Sequence, residues 1–215
     1  MIGLALLLAA SAPLSCGAVP RPGIADQGAD GIWRGRAVDL CRTLADGAPV
    51  AFQDYASAAD IASANDRIAF LSRAELDLPQ AAHWRAGPVI AVQRQLLVVP
   101  AASAVRRPED LAGTMICFIV GTRAEDALDE WADETRTPIE RLAFQEPVEM
   151  RDAYDAGKCA AMAVDAAHAP TGPRDRALAQ PLAETPIFAA TPESASPEWV
   201  RGVRDAANVL KERNR

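Results

Sequence analysis

The stretch MICFIVGTRAEDALDEWADE, residues 115–134, changes character at its seventh residue. Six consecutive apolar residues, Met115 to Val120, have the pattern of a strand buried on both faces. Gly121 and Thr122 interrupt that run, and threonine is a helix-capping residue. An amphipathic helix is expected next, running to about residue 134. Its exposed face is acidic, with Glu125, Asp126, Asp129, Glu130, Asp133 and Glu134. Strand, glycine turn and amphipathic helix in that order form one α/β unit.

The same alternation extends outward in both directions. Downstream, residues 141–145 read as a strand, 147–156 as a helix stopped at Gly157, and 159–164 as the next strand. Residues 166–180, with Pro170, Gly172 and Pro173, read as loop and weak helix. A final amphipathic helix starts at Pro197, with Trp199, Val203, Ala206, Ala207 and Leu210 on one face. Upstream, residues 108–113 form a short helix with a glycine stop and 88–99 are extended. The first half reads strand 14–19, helix 37–45, strand 50–55, helix 58–63 and strand 68–71. Two similar α/β lobes joined by extended crossings near 88–99 and 183–190 describe a hinged binding protein.

Composition narrows the function classes. The chain has 215 residues, half of them hydrophobic, and a formal charge of −7, so a sizeable core is expected and global disorder is not. With acidic residues in excess and no basic stripe, nucleic acid and anionic membrane surfaces are poor partners. Residues 1–12 (MIGLALLLAASA) are an uncharged apolar run ending in a small-residue triplet, which is read as a secretory signal. The run meets Pro13 and Pro20 before it could span a bilayer, so no membrane insertion is expected.

An exported protein with cysteines at 16, 41, 117 and 159 and no C-x-x-C pair is expected to form disulfides and not a metal site. Three pairings are possible. The two early and the two late cysteines fall in separate halves, which favours Cys16 with Cys41 and Cys117 with Cys159. Each such bridge would stabilise the fold by roughly 3 to 4 kcal/mol.

The order of motifs resembles the family-3 extracellular solute-binding proteins, in particular the general L-amino-acid-binding periplasmic proteins of ABC transporters. The resemblance is carried by Leu14-Ser15-Cys16-Gly17, by GIWRGRAVDLCR (residues 31–42) and by IAFLSR (residues 68–73). It continues through Glu109 to Gly113, Ile116-Cys117, Gly121-Thr122, Ala153 to Cys159 and Ser196 to Trp199. It implies an α/β, two-lobed, periplasmic-binding-protein-like fold of type II. Each lobe would be a mixed, mostly parallel sheet flanked by helices, with a hinge between them. Residues 13–90 and 188–215 would form lobe 1 and residues 91–187 lobe 2.

The resemblance also implies a binding site. Asp165 stands where the family's aspartate grips a ligand α-ammonium. Thr122 and Arg123 match the loop that receives the α-carboxylate at a helix N-terminus. In lobe 1 the sequence departs from the pattern: after Ser72-Arg73 it reads Ala74-Glu75-Leu76-Asp77 and is shorter, so the place of the clamping arginine falls near Ala81. Arg73 is the arginine that remains there, and Ile24 stands in the loop where an aromatic often stacks on the ligand.

Three functional readings fit these residues. The first is a soluble, monomeric periplasmic solute-binding protein with an amino-acid-like ligand and an ABC transporter permease as partner. The second is a degenerate module that keeps the fold, has lost amino-acid binding and acts in protein interaction or sensing. The third is an enzyme on the same fold, such as the related cyclohexadienyl dehydratases. His83 and His168 offer it no acid-base pair, no nucleophilic triad or cofactor motif is present, and no enzyme activity, cofactor or metal is expected.

Overall fold

A computed structural model describes residues 12–170 and 172–213 of the chain. The expected signal segment, up to residue 11, lies outside the described residues.

The chain opens with β1 (Leu14–Ala18), a two-stranded ribbon of β2 (Asp26–Gln27) and β3 (Trp33–Arg34), helix α1 (Arg36–Ala45) and β4 (Val50–Asp54). Next come α2 (Ala58–Ser63), β5 (Ile68–Ser72), the single-turn helix α3 (Arg73–Leu76), β6 (Trp84–Arg85) and the long β7 (Val89–Pro100). The chain continues through β8 (Met115–Ile119), α4 (Arg123–Thr135), β9 (Glu140–Phe144), α5 (Pro147–Asp155), β10 (Ala161–Asp165) and β11 (Asp175–Ala177). It ends with β12 (Ala183–Pro192) and α6 (Pro197–Arg213).

These elements divide into two compact units, Met1–Ala91 with Pro186–Arg215, and Val92–Thr185. The chain passes from one to the other twice, within β7 and within β12.

In the first unit β4, β1 and β5 run parallel with β1 in the middle, and β12 adds antiparallel to β5. Alternation along β1 sends Cys16 and Ala18 to one face, where they join Leu40, Ile68, Phe70, Ile187 and Val203 beneath α1 and α6. Tyr55, Ile61, Ala69, Leu71 and Trp84 form a second core on the opposite face. A mainly parallel sheet is stable only when both faces are covered, and here both are. Gly35, which precedes α1, has φ 109°, and a Cβ there would stand 2.5 Å from the Ile24 carbonyl oxygen. Only glycine fits this N-cap.

The second unit has β10 beside β8 and β8 beside β9, all parallel, with β7 antiparallel to β10. Leu97, Leu111, Ile116, Leu128 and Trp131 fill one face and Val98, Met150, Tyr154 and Met162 the other. The stretch 166–180, expected as loop and weak helix, opens with a short 3-10 turn over Ala166–His168 and also contains β11, which pairs with the end of β7. Asp175 of β11 accepts from Arg151 Nη1 at 2.8 Å and from the Tyr154 hydroxyl at 3.1 Å, so the strand is pinned to α5 by side chains with no hydrophobic period of its own.

Both cysteine pairs are joined as expected. Cys16–Cys41 ties β1 to α1 inside the first unit, and Cys117–Cys159 ties β8 to the segment before β10 inside the second. Among the described residues no helix is long and apolar enough to cross a membrane.

Candidate functional site

Ligands of α/β proteins gather where parallel strands end, because the chain turns there into loops and helix N-termini with free polar groups. Every site residue expected from the sequence lies at such an end. In the first unit Arg73 follows β5; in the second, Thr122 and Arg123 follow β8, and Asp165 ends β10. Because β8 and β10 are parallel neighbours, Thr122 and Asp165 share one edge of the second unit.

Asp165 is held firmly. Its Oδ2 accepts from Gln93 Nε2 at 2.7 Å and from Gln95 Nε2 at 3.1 Å, and its Oδ1 accepts from the Ala167 amide at 2.9 Å. Both glutamines are buried, projecting from β7 at alternate positions toward the same carboxylate. An ionised carboxylate offers about four lone-pair sites. Three are used by the protein, and the Gln93 Oε1 beside them is buried without a hydrogen-bond partner among the described residues. The group as a whole is rich in acceptors and suits an N–H donor carrying positive charge.

Thr122 caps α4: its Oγ1 donates to the Ile119 carbonyl at 2.8 Å and accepts from the Glu125 amide at 3.4 Å. The Gly121 amide donates to Glu125 Oε2 at 2.6 Å, so the chain's own carboxylate occupies the first donor of this turn. Arg123 is the first residue of α4 and is exposed.

In the first unit the structure brings forward residues that the sequence does not single out. Arg73 is exposed and pairs with Asp77 at 3.4 Å. The buried arginine at this edge is Arg21, 2% exposed, in the turn after β1. Its Nη2 donates to both oxygens of Glu75, at 2.5 and 2.6 Å, and its Nη1 donates to the Val19 carbonyl at 3.0 Å. Glu75 Oε2 also receives the Ser72 amide at 2.7 Å, and the Glu75 amide returns to Ser72 Oγ at 3.3 Å. Burial opposes ionisation of Glu75, but the Arg21 guanidinium and the Ser72 bonds outweigh it and hold the carboxyl below its ordinary value.

The Ser72-x-x-Glu75 spacing is a capping box, a signal present in the sequence; that Glu75 would also neutralise Arg21 is not visible at that level. Ile24, the residue in the stacking loop, turns inward and joins the first unit's core. His168 is exposed in the turn after Asp165 and His83 packs beside Trp84; neither lies against a described acid-base partner.

No protein-family model and no curated protein matches the chain. Solved structures do. An ancestral cationic amino-acid solute-binding protein superimposes with a TM-score of 0.72 at 18% identity, over 94% of this chain and 91% of that one. The second substrate-binding domain of GlnP from Lactococcus lactis, in an open conformation, gives 0.67 at 15% identity over 94% and 90%. A periplasmic binding protein from Brucella ovis with glutathione bound gives 0.63 at 19% identity, over 94% of this chain and 70% of that one. These likenesses establish the type II periplasmic-binding-protein fold for this chain.

Proposed function

We propose that the chain is an exported solute-binding protein that holds a small, polar, amino-acid-like solute between its two lobes and delivers it to an ABC transporter permease. The observation that carries this reading is the acceptor group on the second unit. Asp165 is oriented by two buried glutamines, beside an unpartnered Gln93 oxygen, on the strand edge that also carries Thr122 at the head of α4. In this reading Asp165 and Gln93 take the solute's ammonium group. Thr122 and Arg123 take its acidic end, and Arg73 contributes from the first lobe. Residues 13–90 with 188–215 form lobe 1, residues 91–187 form lobe 2, and the crossings in β7 and β12 act as the hinge. Removal of residues 1–12 on export releases a soluble monomer into the periplasm, where the disulfides form.

One observation favours a second reading. The buried arginine of the first unit is already matched by Glu75, and Asp165 already receives three protein donors. Polar groups paired to this extent within the protein are what a module would show after losing amino-acid binding and turning to protein interaction or sensing.

Thermal unfolding of the oxidised protein, alone and with millimolar single amino acids, dicarboxylates and polyols, separates the two. Ligand at 100 times its Kd adds about 2.7 kcal/mol of stability. A shift of several degrees with one class, absent in Asp165→Asn, supports the transport reading and names the solute group. No shift with any class, once mass spectrometry has shown that no ligand co-purifies, favours the second.

A further inference from the structure

The charges at the strand ends of the two units are matched unevenly. Among the groups there suited to receive an anion are the guanidiniums of Arg21 and Arg73 in the first unit, and the Gly121 amide and Thr122 hydroxyl in the second. Each is already taken within the chain. Arg21 gives its Nη2 to both oxygens of Glu75, and its side chain is only 1% exposed, so a carboxylate from outside does not reach it. Arg73 stands 3.4 Å from Asp77. The Gly121 amide donates to Glu125 Oε2, and the single hydroxyl proton of Thr122 goes to the Ile119 carbonyl.

The helix that starts at this turn does not restore an anion site. The N-terminus of α4 brings roughly half a positive charge. Its first turn, however, holds Glu125 and Asp126, so Arg123 stands there against two carboxylates. Val120, just before the turn, is an exposed apolar side chain, which suits a hydrocarbon neighbour and not a carboxylate.

Asp165 is the opposite case. All three of its donors are neutral N–H groups, two from glutamine side chains and one from the backbone. Among the described residues no arginine, lysine or histidine forms an ion pair with it. Neutral donors fix the direction of a carboxylate without cancelling its charge. At a half-buried position that uncompensated charge attracts a cation and repels an anion. Discrimination follows as much from what is repelled as from what is held.

We infer, on the solute-binding reading above, that the solute is an organic amine without a carboxylate. Its ammonium sits on Asp165, and near Thr122 it presents a neutral group, an amide, a hydroxyl or plain hydrocarbon, in place of an acidic end. Glu75, Asp77 and Glu125 determine this specificity: they occupy the donors that a free carboxylate would need, and their charge repels it.

The test uses matched pairs that differ only in the carboxylate: L-leucine with 3-methylbutylamine, L-phenylalanine with 2-phenylethylamine, and L-arginine with agmatine. Each is titrated calorimetrically into the oxidised protein. In every pair that binds, the amine is expected to have a Kd lower than that of the amino acid by about tenfold or more. Asp165→Asn should abolish binding of the amine. The double variant Asp77→Asn, Glu125→Ala changes two solvent-accessible positions and should bring the amino acid about two- to fivefold closer to its amine. Equal or tighter binding of the amino acid would overturn the assignment and leave the solute-binding reading standing. Amine binding that survives Asp165→Asn, or an unchanged preference in the double variant, would overturn it too. If no amine binds, the assignment fails, and if the screen of amino acids, dicarboxylates and polyols is also blank, the solute-binding reading fails with it.

Discussion

Glu75, partly buried, and Asp66, buried, are both carboxyls of the first unit, and they respond to acid with opposite sign. Glu75 is held below its ordinary value, so the stability that it contributes is complete above about pH 4.3 and is lost as pH falls through its lower folded value. Asp66 is raised by burial, so the folded chain holds that proton to higher pH than the unfolded chain does. Stability falls as pH rises from about 3.9 through the raised value. Glu75→Gln leaves the buried Arg21 without its carboxylate and should cost about 3 to 5 kcal/mol in urea unfolding at neutral pH, while flattening the acid limb. An unchanged unfolding midpoint would show that the pair contributes nothing net. Asp165, Thr122 and Arg73 are reached in the sequence through the family resemblance, and each stands at or just past the end of a strand. Arg21 is not, since the burial of an arginine depends on a partner 54 residues away that no local pattern announces. Gln93 and Gln95 are hidden for a related reason: inside an extended run, polar residues at alternate positions read as the solvent face.

At the scale of elements, length decides what can be read. β7, α4, α5 and α6 announce themselves through periodicity, a glycine or threonine at the start, or a proline at the first turn. β2, β3, β6 and β11 have two or three residues each, too few to show any period, and they exist because a partner strand or an ion pair holds them. α3 is likewise a single turn fixed by its capping box. Gly17 shows how one position can shape an element: Gly17→Ala must displace the Tyr55 ring, with overpacking that costs about 1 to 3 kcal/mol and breaks the hydroxyl bond to Asp66. Chemical denaturation should show that loss together with a change in the tyrosine absorption spectrum. A variant with parental stability would mean that the ring has another place to go.

For the whole molecule, each disulfide lies inside one unit, joining residues 25 apart in the first and 42 apart in the second. Replacing Cys117 and Cys159 by serine should therefore lower the stability of the second unit alone, by about 3 to 4 kcal/mol. In a calorimetric scan one transition should move and separate from the other; a uniform shift of a single transition would show that the units unfold as one. The two crossings also set an order of completion. The second unit is an uninterrupted stretch of chain, whereas the sheet of the first lacks β12, and its α1 lacks α6, until the segment from Pro186 onward has been made. During synthesis on a ribosome, the unit that begins first is completed after the second. Its unpaired β5 edge stays open to pairing or aggregation throughout synthesis, which makes this the stage at which the protein most needs a chaperone.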